Sequence, residues 1–318
     1  MSKNLSKKYK AVVIGCGKIG AEENSYQKDF KPATHAAAYL GNPKIELAGL
    51  CDIDPVKLEK AGKLFPGVPL YSSAKKMLQE SGPDIVSVAT PAESHYEFVK
   101  MAASFGVKAI VCEKPISDST KKANLMVDTC KEKKCLLFIG HLRHFDPLIT
   151  EWQEKIKKGL LGQISQVDCI YHNGFLNNGT HIVDLLIWFL GEAEKVIGIY
   201  NHLTSEPKKG KNIDAIIFFK NGARASLQSV SQETGLTEWV FYGKKGNFAI
   251  KNKGFKTEYK SFKKIKLRSL MAPMVLHVVS CLERKEKPVS TGQDGLAVLR
   301  ILSAIEKSAK NGSRIVTL

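Results

Sequence analysis

The sequence lacks most of the features that would assign a chain to a class at a glance. No run approaches the 18 apolar residues that a membrane span needs. The two candidates, 182–190 and 271–282, are short, and they contain Asp184 and Pro273. The first ten residues have no apolar core, so no secretory signal is expected. Cysteine is sparse and scattered: seven residues with no CxxC pair, which gives neither a disulfide framework nor metal-ligand spacing. Reduced thiols in a cytoplasm are the expected state, and no metal is expected. Acidic residues are short as well, 31 against 48 Lys+Arg, leaving a formal net charge of +17. The lysines are spread along the chain, often as pairs at turns and helix surfaces. There is no zinc-finger spacing, aromatic RNA-binding signature or concentrated basic arm. The excess therefore reads as a solvated surface that attracts small anions, and no nucleic-acid partner is expected. No Ser-His-Asp or paired-carboxylate pattern, internal repeat or low-complexity segment stands out.

What is present is an ordinary globular composition, 43% hydrophobic and 25% charged, over 318 residues. That length suggests two domains. The first half alternates short apolar runs (9–14, 45–51, 85–89, 109–112 and 135–139) with amphipathic stretches (56–64, 74–80, 94–104 and 120–133). This is the pattern of βαβ units feeding a parallel sheet covered on both faces. From about Asp146 the rhythm changes. Helices are expected at 148–158 and 180–190, and strands at 164–172, 195–203, 213–220, 223–232, 237–242 and 247–250. Asn221-Gly222 marks a hairpin. Two helices, 271–284 and 292–310, close the chain. The expected architecture is α/β: a doubly wound parallel sheet over 1–147, and an α+β domain over 148–318 with an open, mostly antiparallel sheet.

Directly after the first strand stand Gly15, Cys16, Gly17, Lys18, Ile19 and Gly20, a GxGxxG pattern. Its glycines permit a tight turn and close approach to a pyrophosphate. At the end of the second strand, Asp52 can accept hydrogen bonds from an adenosine ribose and repel a 2′-phosphate. NAD is expected over NADP, since Ile53 and Asp54 offer no cation. The interval from Gly20 to Asp52 is 32 positions, longer than the usual interval of about 20. The excess reads as an inserted loop, 21–32, near the cofactor crevice.

With GCGKIG (15–20), ATPAESH (89–95), CEKP (112–115) and GTHIVDLLIWFLG (179–191) in that order, the chain resembles the Gfo/Idh/MocA oxidoreductases. These include glucose-fructose oxidoreductase, inositol 2-dehydrogenase and nucleotide-sugar dehydrogenases. The similarity is tightest over 11–147, looser over 162–191 and 291–315, and architectural between. The resemblance implies an NAD(P)-carrying Rossmann domain, and a second domain that supports a sugar site and often an oligomer interface. It implies hydride transfer between nicotinamide and a hydroxyl or keto carbon of a sugar, cyclitol or nucleotide-sugar, in a dimer or tetramer.

By the same resemblance, Thr90 and Pro91 form the turn under the nicotinamide, with His95 just beyond. Glu113 and Lys114 are the EKP pair, with Pro115 after a cis peptide and the lysine reaching the nicotinamide ribose and the substrate hydroxyl; Thr90, Pro91, His95, Glu113, Lys114 and Arg143 are all expected to contact the cofactor. Arg143 lies in the segment after the sixth strand, where His144 replaces a common arginine. Lys114 and His181 are the expected catalytic residues, and Asp184 either orients the imidazole or bonds nearby backbone. Independently of the family, a lysine at the carboxyl end of a parallel strand points into the ligand crevice of an open sheet. Tyr171, Asn173 and Asn177 are expected to bind substrate with Lys114 and His181. His172 and His202 are candidates beside them, and Trp188 is a candidate for pocket or core. Relatives with a full proton relay carry aspartate four residues before the motif histidine, where this chain has Asn177. An amide has no titratable form to take up a proton. His181, alone or with Lys114, is then the base, and activity should fall below a pH near 6–7. The rival expectation is a dinucleotide-binding sensor of the same fold without turnover.

Overall fold

The computed structural model describes residues 8–22, 31–172, 174–206, 210–231, 237–251, 254–257 and 269–318. The chain forms two units, Met1–Asp146 with Leu267–Leu296, and Pro147–Lys266 with Ala297–Leu318.

The first unit begins with β1 (Tyr9–Ile14), α1 (His35–Leu40), β2 (Ile45–Cys51), α2 (Pro55–Leu64), β3 (Leu70–Tyr71) and α3 (Ala74–Ser81). It continues with β4 (Ile85–Val88), α4 (Ala92–Ser104), β5 (Ala109–Cys112), α5 (Thr120–Glu132) and β6 (Leu136–Ile139), followed by a 3₁₀ turn at Leu142–Phe145. The strands lie parallel in the order β3-β2-β1-β4-β5-β6. The order reverses between β1 and β4, which is where a doubly wound sheet opens its ligand crevice. β4 and β5 are buried along their whole length, as the unbroken apolar runs predict. Local chemistry sets the helix starts. The Asp54 carboxylate accepts from the Val56 and Lys57 N–H groups ahead of Pro55 at N1, and the Ser73 hydroxyl accepts from Lys76. Gly82, at φ 53°, ends α3 in the left-handed region.

The second unit starts with α6 (Pro147–Lys157), β7 (Ile164–Tyr171), a π-helical turn (Phe175–Gly179) and α7 (Thr180–Leu190). Strands β8 (Ala193–Glu206), β9 (Gly210–Phe219), β10 (Arg224–Ser229), β11 (Glu238–Gly243), β12 (Gly246–Lys251) and β13 (Gly254–Thr257) follow. Asn221-Gly222 makes the expected hairpin, with Arg224 opposite Phe218 and Gly222 at φ 87°. β10 runs parallel to β7, and the other described pairings in this sheet are antiparallel.

The chain then returns to the first unit. α8 (Met271–Leu282) places Met271, Met274, Val275, Val278 and Val279 in one buried cluster with Ala36, Tyr39, Phe138 and Phe145. Ser290 is stitched to β6, its carbonyl accepting from the Ile139 N–H and its hydroxyl donating to the Ile139 carbonyl, each at 2.7 Å. This corrects the division into contiguous domains 1–147 and 148–318. An apolar helix near the C-terminus completes the first core, because α1 and the end of β6 need a cover that the first 146 residues do not supply. α9 (Gly292–Lys310) and β14 (Val316–Thr317) close the chain. β14 pairs with β8 at the edge of an eight-stranded sheet ordered β13-β12-β11-β7-β10-β9-β8-β14. α9 packs so closely on β8 that a Cβ at Gly198 would stand 2.3 Å from the Ile305 carbonyl oxygen.

Among the described residues no helix is long and apolar enough to cross a membrane. All seven cysteines are buried thiols.

Candidate functional site

The glycine turn leaves β1 at the switch point. Gly15 sits at φ +98°, and a Cβ there would stand 2.6 Å from the Ala89 carbonyl oxygen, so only glycine lets the end of β4 pass this close. At Gly20 a Cβ would fall 1.8 Å from the Gly15 carbonyl oxygen, whereas at Gly17 it would meet nothing within 4 Å. The turn is therefore sealed on its inner side and open on the outer. The N–H groups of Gly20, Ala21 and Glu22 converge on the Gly17 carbonyl. Among the described residues, those of Gly17, Lys18 and Ile19 donate to no protein acceptor. Successive amides aimed outward at a helix start form a seat for a phosphate anion.

The long interval to Asp52 has a simple geometry. The His35 and Ala36 N–H groups donate to the Ile19 and Gly20 carbonyls, both at 3.0 Å. The turn at 17–21 and α1 thus continue one another through space. Residues 23–30 of the expected inserted loop lie outside the described ones. Asp52 follows β2 directly, beside the glycine turn. Its Oδ2 accepts from the Cys16 N–H at 2.7 Å and its Oδ1 from the Asp54 N–H at 2.9 Å. Each oxygen keeps a second acceptor direction for a ribose hydroxyl. Burial, with the Asp52 and Cys51 charges adding to it, pushes the Cys16 thiol up to about 12, so Cys16 contributes its backbone, not a thiolate. These features fit an adenine dinucleotide lacking a 2′-phosphate. Asp52→Ser should weaken NAD binding about tenfold or more, the scale of hydrogen bonds to a charged group, and Asp52→Arg should turn the preference toward NADP. Fluorescence titration of both dinucleotides measures it. Tighter NADP than NAD binding by the wild type would remove Asp52 from the ribose.

The turn after β4 holds Thr90, whose Oγ1 accepts from the Ser94 hydroxyl at 2.8 Å, and Pro91, which caps α4. His95 is turned into the protein. It is 1% exposed, with Nε2 2.8 Å from the Thr90 carbonyl and Nδ1 3.1 Å and 3.2 Å from those of Pro115 and Ile116. It ties the β4 and β5 exits together, which corrects the expectation of a cofactor contact.

Beyond β5, the Lys114–Pro115 peptide is cis, as expected. Glu113 also departs from a cofactor role. Its carboxylate is turned inward at 8% exposure, Oε1 accepting from His35 Nε2 at 3.1 Å and Oε2 from the Lys114 N–H at 3.3 Å. It lies where a Gly140 side chain would be, 2.8 Å from a Cβ built there. Burial alone would raise the Glu113 carboxyl, but the His35 hydrogen bond and the Lys114 charge work against it, and the group is held below its ordinary value. Burial lowers the half-buried Lys114 ammonium; Glu113 opposes that and Arg143, on the 3₁₀ turn, adds to it. The net direction is down. His35 was not foreseen as a site residue. The signal was a histidine in an otherwise apolar helix, facing Ser87 in an otherwise apolar strand.

In the second unit, the π-helical turn runs into α7, so Asn177 and His181 lie about one turn apart on a continuous helical segment. Asn177 is exposed and His181 half-buried, while Asp184 is 3% exposed. Asn173 lies outside the described residues. Tyr171 is a correction. It is fully buried, donating to the Ile213 carbonyl at 2.9 Å and accepting from the Ile213 N–H at 3.1 Å. Burial pushes its phenol up. The hydroxyl is spent on β9 and offers a substrate nothing. His172 Nδ1 lies 3.1 Å from the Thr237 hydroxyl, and Trp188 packs against the core. His202 is exposed beside Tyr200. Among the described residues no group of three His, Cys, Asp or Glu side chains could hold a metal ion.

Comparison with known proteins agrees with this geometry. A profile described as "Oxidoreductase family, NAD-binding Rossmann fold" matches residues 9–141, and the corresponding Gfo/Idh/MocA C-terminal domain matches 149–249. D-apiose dehydrogenase of Paraburkholderia graminis is 23% identical, with 97% of this chain and 90% of that protein covered. Inositol 2-dehydrogenase of Rhizobium meliloti is 22% identical over 95% and 97% of the two chains. The solved structure of the WlbA dehydrogenase from Bordetella pertussis, in complex with NADH and UDP-GlcNAcA, superposes with a TM-score of 0.82 at 21% identity, covering 98% of each chain. With both domains matched and the cofactor turn built as the sequence requires, the chain belongs to the Gfo/Idh/MocA family of oxidoreductases and binds NAD.

Proposed function

We propose that the protein oxidises a secondary hydroxyl of a sugar, cyclitol or nucleotide-sugar, or reduces the corresponding ketone, with Lys114 and His181 handling the hydroxyl proton. NAD supplies the hydride acceptor, or the donor in reverse. The observation that carries this reading is the half-buried Lys114 at the mouth of the parallel sheet, backed by Glu113 and within reach of the Arg143 charge. A pure dinucleotide binder has no use for a desolvated lysine there. Charged, Lys114 stabilises a developing alkoxide; its lowered proton affinity suits transfer to and from an oxygen. His181 is the neutral acceptor, and Asn177 positions the substrate by hydrogen bonding. The names of the relatives, D-apiose dehydrogenase and inositol 2-dehydrogenase, and the UDP-GlcNAcA held in the WlbA complex support a polyhydroxylated substrate. A homo-oligomer formed through the open sheet face accords with Ile199 at 52% exposure and Leu203 at 96%. Reduced cytoplasmic thiols complete the reading.

The test is a panel of aldoses, inositols and nucleotide-sugars with NAD or NADH, followed by NADH absorbance. Dinucleotide binding without turnover on any of them would favour the sensor. Asn177→Ala is expected to raise KM several-fold with little loss of kcat, which steady-state kinetics on the best substrate will show. A loss confined to kcat would give Asn177 a different role.

A further inference from the structure

The first unit holds a run of polar side chains that the reading above leaves unused. The Tyr39 hydroxyl lies 2.6 Å from Ser87 Oγ, Ser87 Oγ 3.0 Å from His35 Nδ1, and His35 Nε2 3.1 Å from Glu113 Oε1. Tyr39, Ser87 and His35 are all fully buried. Glu113 then accepts from the backbone N–H of Lys114. The proton directions follow from donor and acceptor capacity. A carboxylate only accepts, so Nε2 of His35 carries the hydrogen; Nδ1 then accepts from Ser87, and Ser87 accepts from Tyr39. Burial raises the Tyr39 phenol, which keeps it a donor. Every member is satisfied in this arrangement. The run ends on a fully buried phenol, so it is not a path by which protons reach solvent. A closed, satisfied network of this kind fixes geometry.

We propose that His35 is a positioning residue: through its hydrogen bond to Glu113 it holds that carboxylate ionised and in place, and so fixes the aim and the charge of Lys114. α1, β4 and the exit of β5 each contribute a link, and Gly140 leaves the carboxylate its room. Among the described groups, the Glu113 and Arg143 charges act on Lys114, and Glu113 is met by the Lys114 charge and by the hydrogen-bonded His35 ring. Without the His35 hydrogen bond, the burial of Glu113 meets less opposition and the carboxyl's proton affinity rises. The negative charge that helps keep the proton on Lys114 weakens with it.

The inference rests on the proposed role of Lys114 only for its effect on rate, so the primary readout is the titration of Lys114 itself. Lysines of the full-length protein are reductively dimethylated with ¹³C-formaldehyde, which preserves their charge. The Lys114 resonance is assigned by its loss in Lys114→Arg and followed against pH. The midpoint in His35→Leu is expected to fall by about half a pH unit or more relative to wild type. His35→Gln, whose amide can still donate to Glu113, is expected to restore it. An unchanged midpoint in a His35→Leu protein that keeps its melting temperature and NAD affinity overturns the proposal. If His35→Leu does not fold, Ser87→Ala and Glu113→Gln carry the test, and no downward movement in either overturns it. Turnover of the same variants is expected to drop about tenfold, the lower end of acid–base effects. If Lys114→Ala retains turnover while the midpoint shifts as stated, the proton-handling role fails and the positioning chain stands. An unshifted midpoint with an inactive Lys114→Ala fails the chain alone.

Discussion

Lys114→Ala is expected to lower turnover by at least about 100-fold, the usual loss for a positioned acid–base group, and to leave NAD affinity within a few-fold. The Gly17–Ile19 amides and the Asp52 carboxylate, proposed to hold the phosphate and ribose, belong to other elements, so binding and rate should separate. The pH dependence carries a sign. The Lys114 ammonium is lowered from its ordinary value, with burial the largest cause. If the charged form assists the reaction, the wild type loses activity on the alkaline side earlier than an ordinary lysine would allow. Because Glu113 works against that lowering, Glu113→Gln should bring the alkaline loss to still lower pH. Rate profiles of the wild type and Glu113→Gln test this. Near wild-type turnover in Lys114→Ala would place the chemistry elsewhere.

His181→Ala should be comparably costly, about 100-fold in kcat with less change in KM, because a base acts on the reacting proton and contributes little to ground-state binding. An imidazole base works unprotonated, so wild-type activity should decline toward acid. That decline should flatten in His181→Ala, where the residual rate no longer depends on a protonatable ring. If the variant keeps both the wild-type rate and its acid limb, the histidine is structural. The contrast with Asn177→Ala matters, since both residues lie on one helical segment: a fault in that segment's folding would damage KM and kcat together in either variant.

Much of this was legible because the relevant physics is local. A glycine pattern after an apolar strand, an acid at the end of the next strand and a lysine at the end of the fifth are each positioned by neighbours a few residues away. The parallel sheet followed from uninterrupted apolar runs. What escaped was set by partners distant in sequence. β3 has only two residues, Leu70 and Tyr71, and no periodicity to betray it. Glu113 faces inward because His35, 78 positions away, supplies a donor. Tyr171 was misassigned although the alternation in β7 pointed the other way: Val167, Cys169 and Tyr171 share one face, and all are buried. The polar tip of the tyrosine drew attention from the face on which it stands. α7 spans Thr180–Leu190 as expected, but the π-helical turn ahead of it is not legible, because its wider spacing breaks the period that reveals a helix.

The return of residues 267–296 to the first unit delays its completion on the ribosome until most of the second unit has been made. Domains are made N-terminal part first, and usually fold in that order. Here the parallel sheet is synthesised first, yet α1, Phe138 and Phe145 must wait for Met271–Leu282 before their apolar surfaces are covered. The β-strands of the second unit up to Gly254–Thr257 emerge in the interval. A nascent chain stopped between the two segments would carry a nearly complete nucleotide-binding sheet with one bare flank, the kind of surface that chaperones recognise. NAD affinity should accordingly appear late in synthesis, only after the α8 segment has been released.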